Sequence, residues 1–176
     1  AGFSAVTEEL RTLLATYRTG SAVANGVQTV ICGAPNCGKS SLYNRILGQD
    51  RAIVTDIAGT TRDTLWDTAD FGGITLRLAD TAGLRAEGEA ADLVEQIGVE
   101  RSRRNIEEAE LIFIVLDGSR PLENQEEELL SELSRRQDAV KIAVINKADL
   151  SPTPKLNLDM VRSMTNEAVI VSAKTG

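Results

Sequence analysis

Gly33-Ala34-Pro35-Asn36-Cys37-Gly38-Lys39-Ser40 sets two glycines, a lysine and a hydroxyl at the spacing that grips a polyphosphate. Gly33 and Gly38 admit backbone conformations closed to other residues, so successive amide N–H groups can turn inward around phosphate oxygens. Lys39 adds a point charge for the β- and γ-phosphates. The Ser40 hydroxyl can replace one water on Mg2+, an ion that seldom surrenders all its waters. An apolar run, Val27 to Cys32, precedes the loop, and the helix-like Ser41 to Leu47 follows it, pointing a positive helix end at the same phosphates. Asn36, Cys37, Gly38, Lys39, Ser40 and Ser41 are therefore the expected contacts of a nucleoside triphosphate.

Three further groups extend the site. Asp80-Thr81-Ala82-Gly83 follows the strand-like Ile74 to Ala79; there Asp80 can hold Mg2+ through a water and Gly83 can offer its N–H to the γ-phosphate. Asn146-Lys147-Ala148-Asp149 follows the strand-like Val140 to Ile145. The Asp149 carboxylate is acceptor-only and matches the paired N1–H and 2-amino donors of guanine, whereas adenine would present a lone pair. Asn146 can tether the neighbouring loop, and the aliphatic stem of Lys147 can lie along the base. Ser172-Ala173-Lys174 can supply a backbone N–H to the guanine O6. The ordered set implies GTP or GDP as ligand.

Composition limits what else the chain does. It has 176 residues, 42% of them hydrophobic, which suits one domain with a sizeable core. A net charge of -7 argues against a sequence-independent grip on nucleic acid, so an RNA partner would be engaged locally or by another module. Histidine is absent, which removes Ser-His-Asp and Cys-His catalysis and His-ligated zinc. Cys32 and Cys37 flank the phosphate loop, where a disulfide would distort it. Cys37, close to a helix N-terminus, has either some thiolate character or the plainer role of filling a tight loop. With no apolar run of membrane-spanning length and no cleavable leader pattern, a cytoplasmic location is expected.

The elements that must position these groups alternate. Strands are expected at Val27 to Cys32, Thr64 to Phe71, Ile74 to Ala79, Leu111 to Asp117, Val140 to Asn146 and Ala168 to Ser172. Helices are expected over Lys39 to Leu47, Leu93 to Glu108, Glu123 to Arg136 and Lys155 to Met164. This order predicts an α/β fold with a mostly parallel six-stranded sheet, helices on both faces, and one antiparallel edge strand joined through Gly72-Gly73. Ahead of the first strand, Leu10, Leu13, Leu14 and Tyr17 form an apolar stripe at helical spacing.

Taken together, GAPNCGKSSLYN, TDIAGTTRD, DTAGLR, VEQIGVERS, NKAD and SAKTG resemble the G domain of the MnmE (TrmE) family of tRNA-modification GTPases. The resemblance covers residues 22–176 and implies a Ras-like P-loop fold lacking its last helix, with residues 1–21 the remnant of a neighbouring helical domain. It also implies K+ bound beside the phosphates by the Asn36 side chain and the backbone oxygens of Thr55, Ile57 and Thr60, with Thr61 as the Mg2+ threonine. It further implies pairing of two G domains across the nucleotide and, in the whole protein, cooperation with MnmG in modifying tRNA wobble uridines. Leu84 stands where Ras-like proteins carry a water-orienting glutamine, and leucine cannot orient water. The family assigns that task to a loop glutamate that aligns with Glu95. The loop is longer than expected here, which leaves Asp92 as the alternative and a solvated surface acid as a third reading. The catalytic set implied is Glu95, Thr61, Gly83 and Lys39. Two other readings stay open: a ribosome-assembly GTPase of the Der (EngA) type, with similar GTTRD and DTAG motifs, and a slow nucleotide-switched interaction module.

Overall fold

The computed structural model describes residues 20–48, 66–79 and 104–175. Six strands form one sheet: β1 (Val27–Cys32), β2 (Trp66–Phe71), β3 (Ile74–Ala79), β4 (Leu111–Asp117), β5 (Val140–Asn146) and β6 (Glu167–Ile170). Their spatial order is β2-β3-β1-β4-β5-β6. Every pairing is parallel except β2 with β3, which close a hairpin through Gly72 (φ 61) and Gly73 (φ 89). Positive φ at both central positions is what a tight hairpin turn requires, and glycine reaches it without steric cost.

Alternation along each strand sorts the core into two layers. Ile112, Ile114 and Leu116 of β4 join Val30, Cys32, Ala143 and Ile145 on one face; there they meet Leu130 and Leu133 of α2 (Asn124–Ser134) and Val161 of α3 (Leu158–Met164). Val115, Ile31 and Val144 face the other way, onto Tyr43 and Ile46 of α1 (Lys39–Gly48). Helices therefore cover both faces, as the period-two pattern requires of a buried parallel sheet. Ile112, Ile114, Leu116 and Leu130 are wholly shielded, and burial of each such side chain is worth about 1.5–3 kcal/mol.

Where the observed boundaries differ from expectation, a local hydrogen bond accounts for the shift. α3 starts at Leu158, not near Lys155, because Asn157 caps it by accepting from the Met160 N–H at 3.1 Å while the Lys155 N–H is committed to the Gly118 carbonyl at 2.9 Å. β6 ends at Ile170, not Ser172, because the Val171 carbonyl turns aside to the Ala148 N–H. α2 is shorter at both ends than Glu123 to Arg136. Its N-terminus is closed by the Glu126 carboxylate, which accepts from the Glu123 N–H at 2.9 Å. Residues 20–25 are helical and lead into β1. Of the helix expected over Leu93 to Glu108, residues 104–108 are described and are helical. The helix expected around Leu10 to Tyr17, and positions 64–65 of the second strand, lie outside the described residues.

Candidate nucleotide-binding site

Four loops converge at the C-terminal ends of β1, β4, β5 and β6, the edge of an open parallel sheet where ligands bind. The loop after β1 runs into α1 with Gly33 at φ 145, Asn36 at φ 59 and Gly38 at φ 103. A Cβ on Gly33 would meet the Val115 carbonyl oxygen at 2.3 Å, and one on Gly38 would meet Asn146 Nδ2 at 2.1 Å. Both glycines are thus needed for close approach as well as for backbone angle. The first-turn N–H groups of α1 have no intrahelical acceptor and sit at the positive end of the helix, a ready anion site. Lys39 Nζ donates to the Ala34 carbonyl at 2.8 Å, which holds the ammonium across the loop.

Cys37 is wholly buried against Ile31, Tyr43 and Val115 and can offer a ligand only main-chain atoms. Burial pushes its thiol up, with the Lys39 ammonium drawing it partway back. Cys32, also buried and beside Cys37, is pushed up to about 12. Both are free thiols. The loop-filling reading of Cys37 accords with this placement, and thiolate chemistry does not.

Asn146 occupies the centre of the site. Its side-chain amide donates to the Cys37 carbonyl at 2.9 Å, and its side-chain carbonyl accepts from the Ala173 N–H at 2.9 Å. One buried side chain therefore fastens the phosphate loop to the loop after β6. Asp149 is exposed and is oriented by the Ser172 hydroxyl, which donates to Oδ1 at 2.8 Å and accepts from the Thr175 N–H at 3.1 Å. Lys147 adopts a left-handed backbone, φ 67, and its ammonium lies 2.6 Å from Asp117 Oδ2. Ala173 is half-buried, and Lys174 is exposed at the rim.

Of the residues expected in the site, the structure brings together Asn36, Cys37 and Gly38 from the loop after β1, Lys39, Ser40 and Ser41 from the first turn of α1, Asn146 at the end of β5 with Lys147 and Asp149 just beyond it, and Ser172, Ala173 and Lys174 after β6. Thr55, Ile57, Thr60, Thr61, Asp80, Gly83, Asp92 and Glu95 lie outside the described residues. Sequence reasoning missed Asp117. Burial pushes its carboxyl up, but the Lys147 ammonium and two donors from Ser119 outweigh that and hold it below the usual carboxylate range. The signal was present, since Asp117 ends a strand at the sheet mouth just as Asp80 was expected to, and it pairs in register with Asn146.

The donor chemistry fits a hard cation. The Ser40 hydroxyl stands in the first turn of α1, half-buried beside the phosphate loop. Among the described residues no cluster of three acidic or cysteine side chains assembles. Mg2+ ordinarily keeps several waters and binds through one or two protein oxygens plus nucleotide phosphates, a demand the Ser40 hydroxyl can meet in part. Asn36 is exposed at its left-handed position on the same loop, and its amide oxygen suits K+.

A sequence profile of 50S ribosome-binding GTPases matches residues 28–147. The tRNA modification GTPase MnmE of Streptococcus gordonii is 50% identical over 154 residues, which is 88% of this chain and 32% of that protein. MnmE of Ligilactobacillus salivarius is 43% identical over 175 residues, covering 97% and 36%. The chain belongs to the MnmE family of GTPases. This MnmE-type G domain spans about a third of the length of the curated relatives it matches. Among solved structures, Era in complex with MgGDPNP and a segment of 16S ribosomal RNA superposes with a TM-score of 0.59 at 26% identity, covering 84% of this chain and 51% of that one. The G domain of the T. maritima FeoB iron transporter shares the fold, with a TM-score of 0.56 at 23% identity over 84% and 88%. The fold is thus the Ras-like GTPase fold that the sequence led us to expect, and the MnmE-type domain is a GTP-hydrolysing enzyme. Among the described residues no helix is long and apolar enough to cross a membrane.

Proposed function

We propose that this domain is the K+-activated motor of a tRNA-modification enzyme, hydrolysing GTP as two copies pair across their nucleotides. The observation that carries the nucleotide reading is the double tether made by Asn146, which brings the phosphate loop and the Asp149–Ser172 pair to one mouth of the sheet. In this reading Asp149 accepts from the guanine N1–H and 2-amino group, the Ala173 region contacts O6, and Lys147 lies along the base. Amides of residues 36–41 and the Lys39 ammonium neutralise the phosphates, so catalysis is positioning and electrostatics with no covalent intermediate. Ser40, Thr61 and Asp80 would hold Mg2+, and the Asn36 side chain with the backbone oxygens of Thr55, Ile57 and Thr60 would hold K+; bound there, the two cations would supply charge to offset what develops on the transferring phosphoryl group. Glu95 orients the attacking water in place of the missing glutamine, with Gly83 donating to the γ-phosphate.

The relatives carry the name tRNA modification GTPase, which supports a place in tRNA modification. In our reading the site of modification is the wobble uridine, the partner is MnmG, the location is the cytoplasm, and tRNA is held by other domains or by the partner. Single-turnover hydrolysis in KCl and in NaCl tests the activation: a large excess in KCl is expected, and equal slow rates would overturn it in favour of a nucleotide-switched interaction module. A second reading, ribosome assembly of the Der type, is favoured by the description of the matching profile. Asn146-Lys147-Ala148-Asp149, where the Der type carries tryptophan at the third position, weighs against it. Failure to restore modified wobble uridine in cells lacking MnmE, when the domain is grafted into the whole protein, would favour that second reading.

A further inference from the structure

We propose that Asp117 is a positioning residue of the guanine-nucleotide site, anchoring the Lys147 ammonium and thereby holding the Asn146–Asp149 loop in its ligand-reading conformation. The inference rests on the nucleotide reading of this site and extends it to a residue outside the expected motifs.

A left-handed backbone at a lysine is uncommon and sterically unfavourable, so Lys147 at φ 67 needs something that over-determines it. Two neighbouring bonds bracket the turn, from the Gly118 N–H to the Asn146 carbonyl at 2.9 Å and from the Leu150 N–H to the Lys147 carbonyl at 2.9 Å. The side chain supplies the third constraint, its ammonium lying 2.6 Å from Asp117 Oδ2.

Asp117 is well placed to be the fixed partner. It stands opposite Asn146 in the β4–β5 register, with its side chain only 8% exposed. Its other oxygen accepts from the Ser119 N–H at 2.9 Å and from the Ser119 hydroxyl at 2.6 Å, so the carboxylate cannot rotate away. Arg120 lies 3.8 Å from Asp117 but gives its two terminal nitrogens to Glu126, at 2.7 and 3.1 Å. Lys147 therefore makes the short ion pair, and charge-assisted contacts of this length are the stronger kind. Tying the ammonium down at the β4 end restricts the paths open to the aliphatic stem of Lys147, which in the nucleotide reading lies along the base.

The test measures GDP and IDP affinity for the parent domain, Asp117→Asn, Lys147→Gln and the double variant, by competition against a fluorescent GDP. Inosine lacks the 2-amino group read by Asp149 but presents the same face to Lys147. Asp117→Asn is expected to weaken GDP roughly tenfold, the scale of one charge-assisted bond, and IDP by a smaller factor, because a loosened loop costs GDP the 2-amino contact that inosine never makes. In the Lys147→Gln background the same change should have no further effect. Parent-like affinity in Asp117→Asn, or an undiminished loss in the Lys147→Gln background, would overturn the proposal. Should Asp117→Asn fail to fold, Ser119→Ala keeps the charge while removing one orienting bond. It should give a smaller loss that also vanishes in the Lys147→Gln background, and a loss that persists there overturns the proposal equally. Failure of the parent itself to bind GDP would instead sink the nucleotide reading.

Discussion

Asn146 Nδ2 lies 2.9 Å from the Cys37 carbonyl oxygen, a buried hydrogen bond that spans 109 positions of chain and joins the loop after β5 to the phosphate loop after β1. The same side chain accepts from the Ala173 N–H, so the loop after β1 and the loop after β6 are tied to one residue at the end of β5. Removing it leaves a buried carbonyl and a half-buried amide without their partner. Asn146→Ala should lower unfolding free energy by roughly 2–4 kcal/mol, the cost of orphaning two such groups. Urea unfolding checks the stability, and GDP affinity should fall with it; a change under 1 kcal/mol would show that water replaces the amide.

Gly38 is the counterpart of that tether. Its φ of 103 is strained for any other residue, and an added Cβ would sit 2.1 Å from Asn146 Nδ2. Gly38→Ala should therefore displace the asparagine as well as strain the loop. Nucleotide binding is expected to fall below detection at micromolar GDP, with a loss of roughly 2–4 kcal/mol in stability. Tight GDP binding by this variant would mean that the loop re-forms around the methyl group.

The two thiols should report on packing. Cys32 and Cys37 are buried, and burial raises both. Cys32 is raised from 9.0 to about 12, so below pH 9 both folded and unfolded chains hold its proton and the group makes stability no more pH-dependent. Above pH 9 the unfolded thiol ionises first, and stability should decline by about 1.4 kcal/mol per pH unit until the folded thiol also ionises. Native protein at pH 8 should resist thiol-directed reagents for hours and react fully in guanidinium. Rapid native labelling of Cys37 would contradict its enclosure.

Asp149 is exposed and held by Ser172, so its replacement leaves the core untouched. Asp149→Asn exchanges an acceptor for a donor at the oxygen facing the 2-amino group. The variant should prefer a xanthine over a guanine nucleotide, while its melting temperature stays within a few degrees of the parent. Competition of XDP against GDP decides it, and an unchanged preference for GDP would contradict the scheme.

Glu95 is the water-orienting residue of our proposal. Glu95→Ala should leave GTP affinity nearly intact and depress single-turnover hydrolysis in KCl by about 100-fold, the usual scale for a lost acid–base or orienting group. The same assay on Asp92→Ala should show little change. If the two results are exchanged, the role belongs to Asp92.

The chemistry at the mouth was legible because it is local. The phosphate loop, the Asn146–Asp149 stretch and Ser172-Ala173 each carry their meaning in a few contiguous residues, and the strand patterns around them depend on alternation that any window of the chain reveals. Val27–Cys32, Ile74–Ala79, Leu111–Asp117 and Val140–Asn146 appear in the structure with the expected boundaries. Helix starts were less legible. Whether α3 begins at Lys155 or Leu158 depends on a bond from Lys155 to Gly118, a partner remote in sequence.

By itself, then, the sequence determined the ligand class, the sheet's composition and the two-faced core, because these follow from residue type and periodicity. Only the tertiary structure decided the pairing of Asp117 with Lys147, the enclosure of Cys37 and the need for a missing Cβ at Gly38. Each depends on groups brought within a few ångströms by the pairing of β1 with β4 and β4 with β5, and no spacing along the chain encodes that approach.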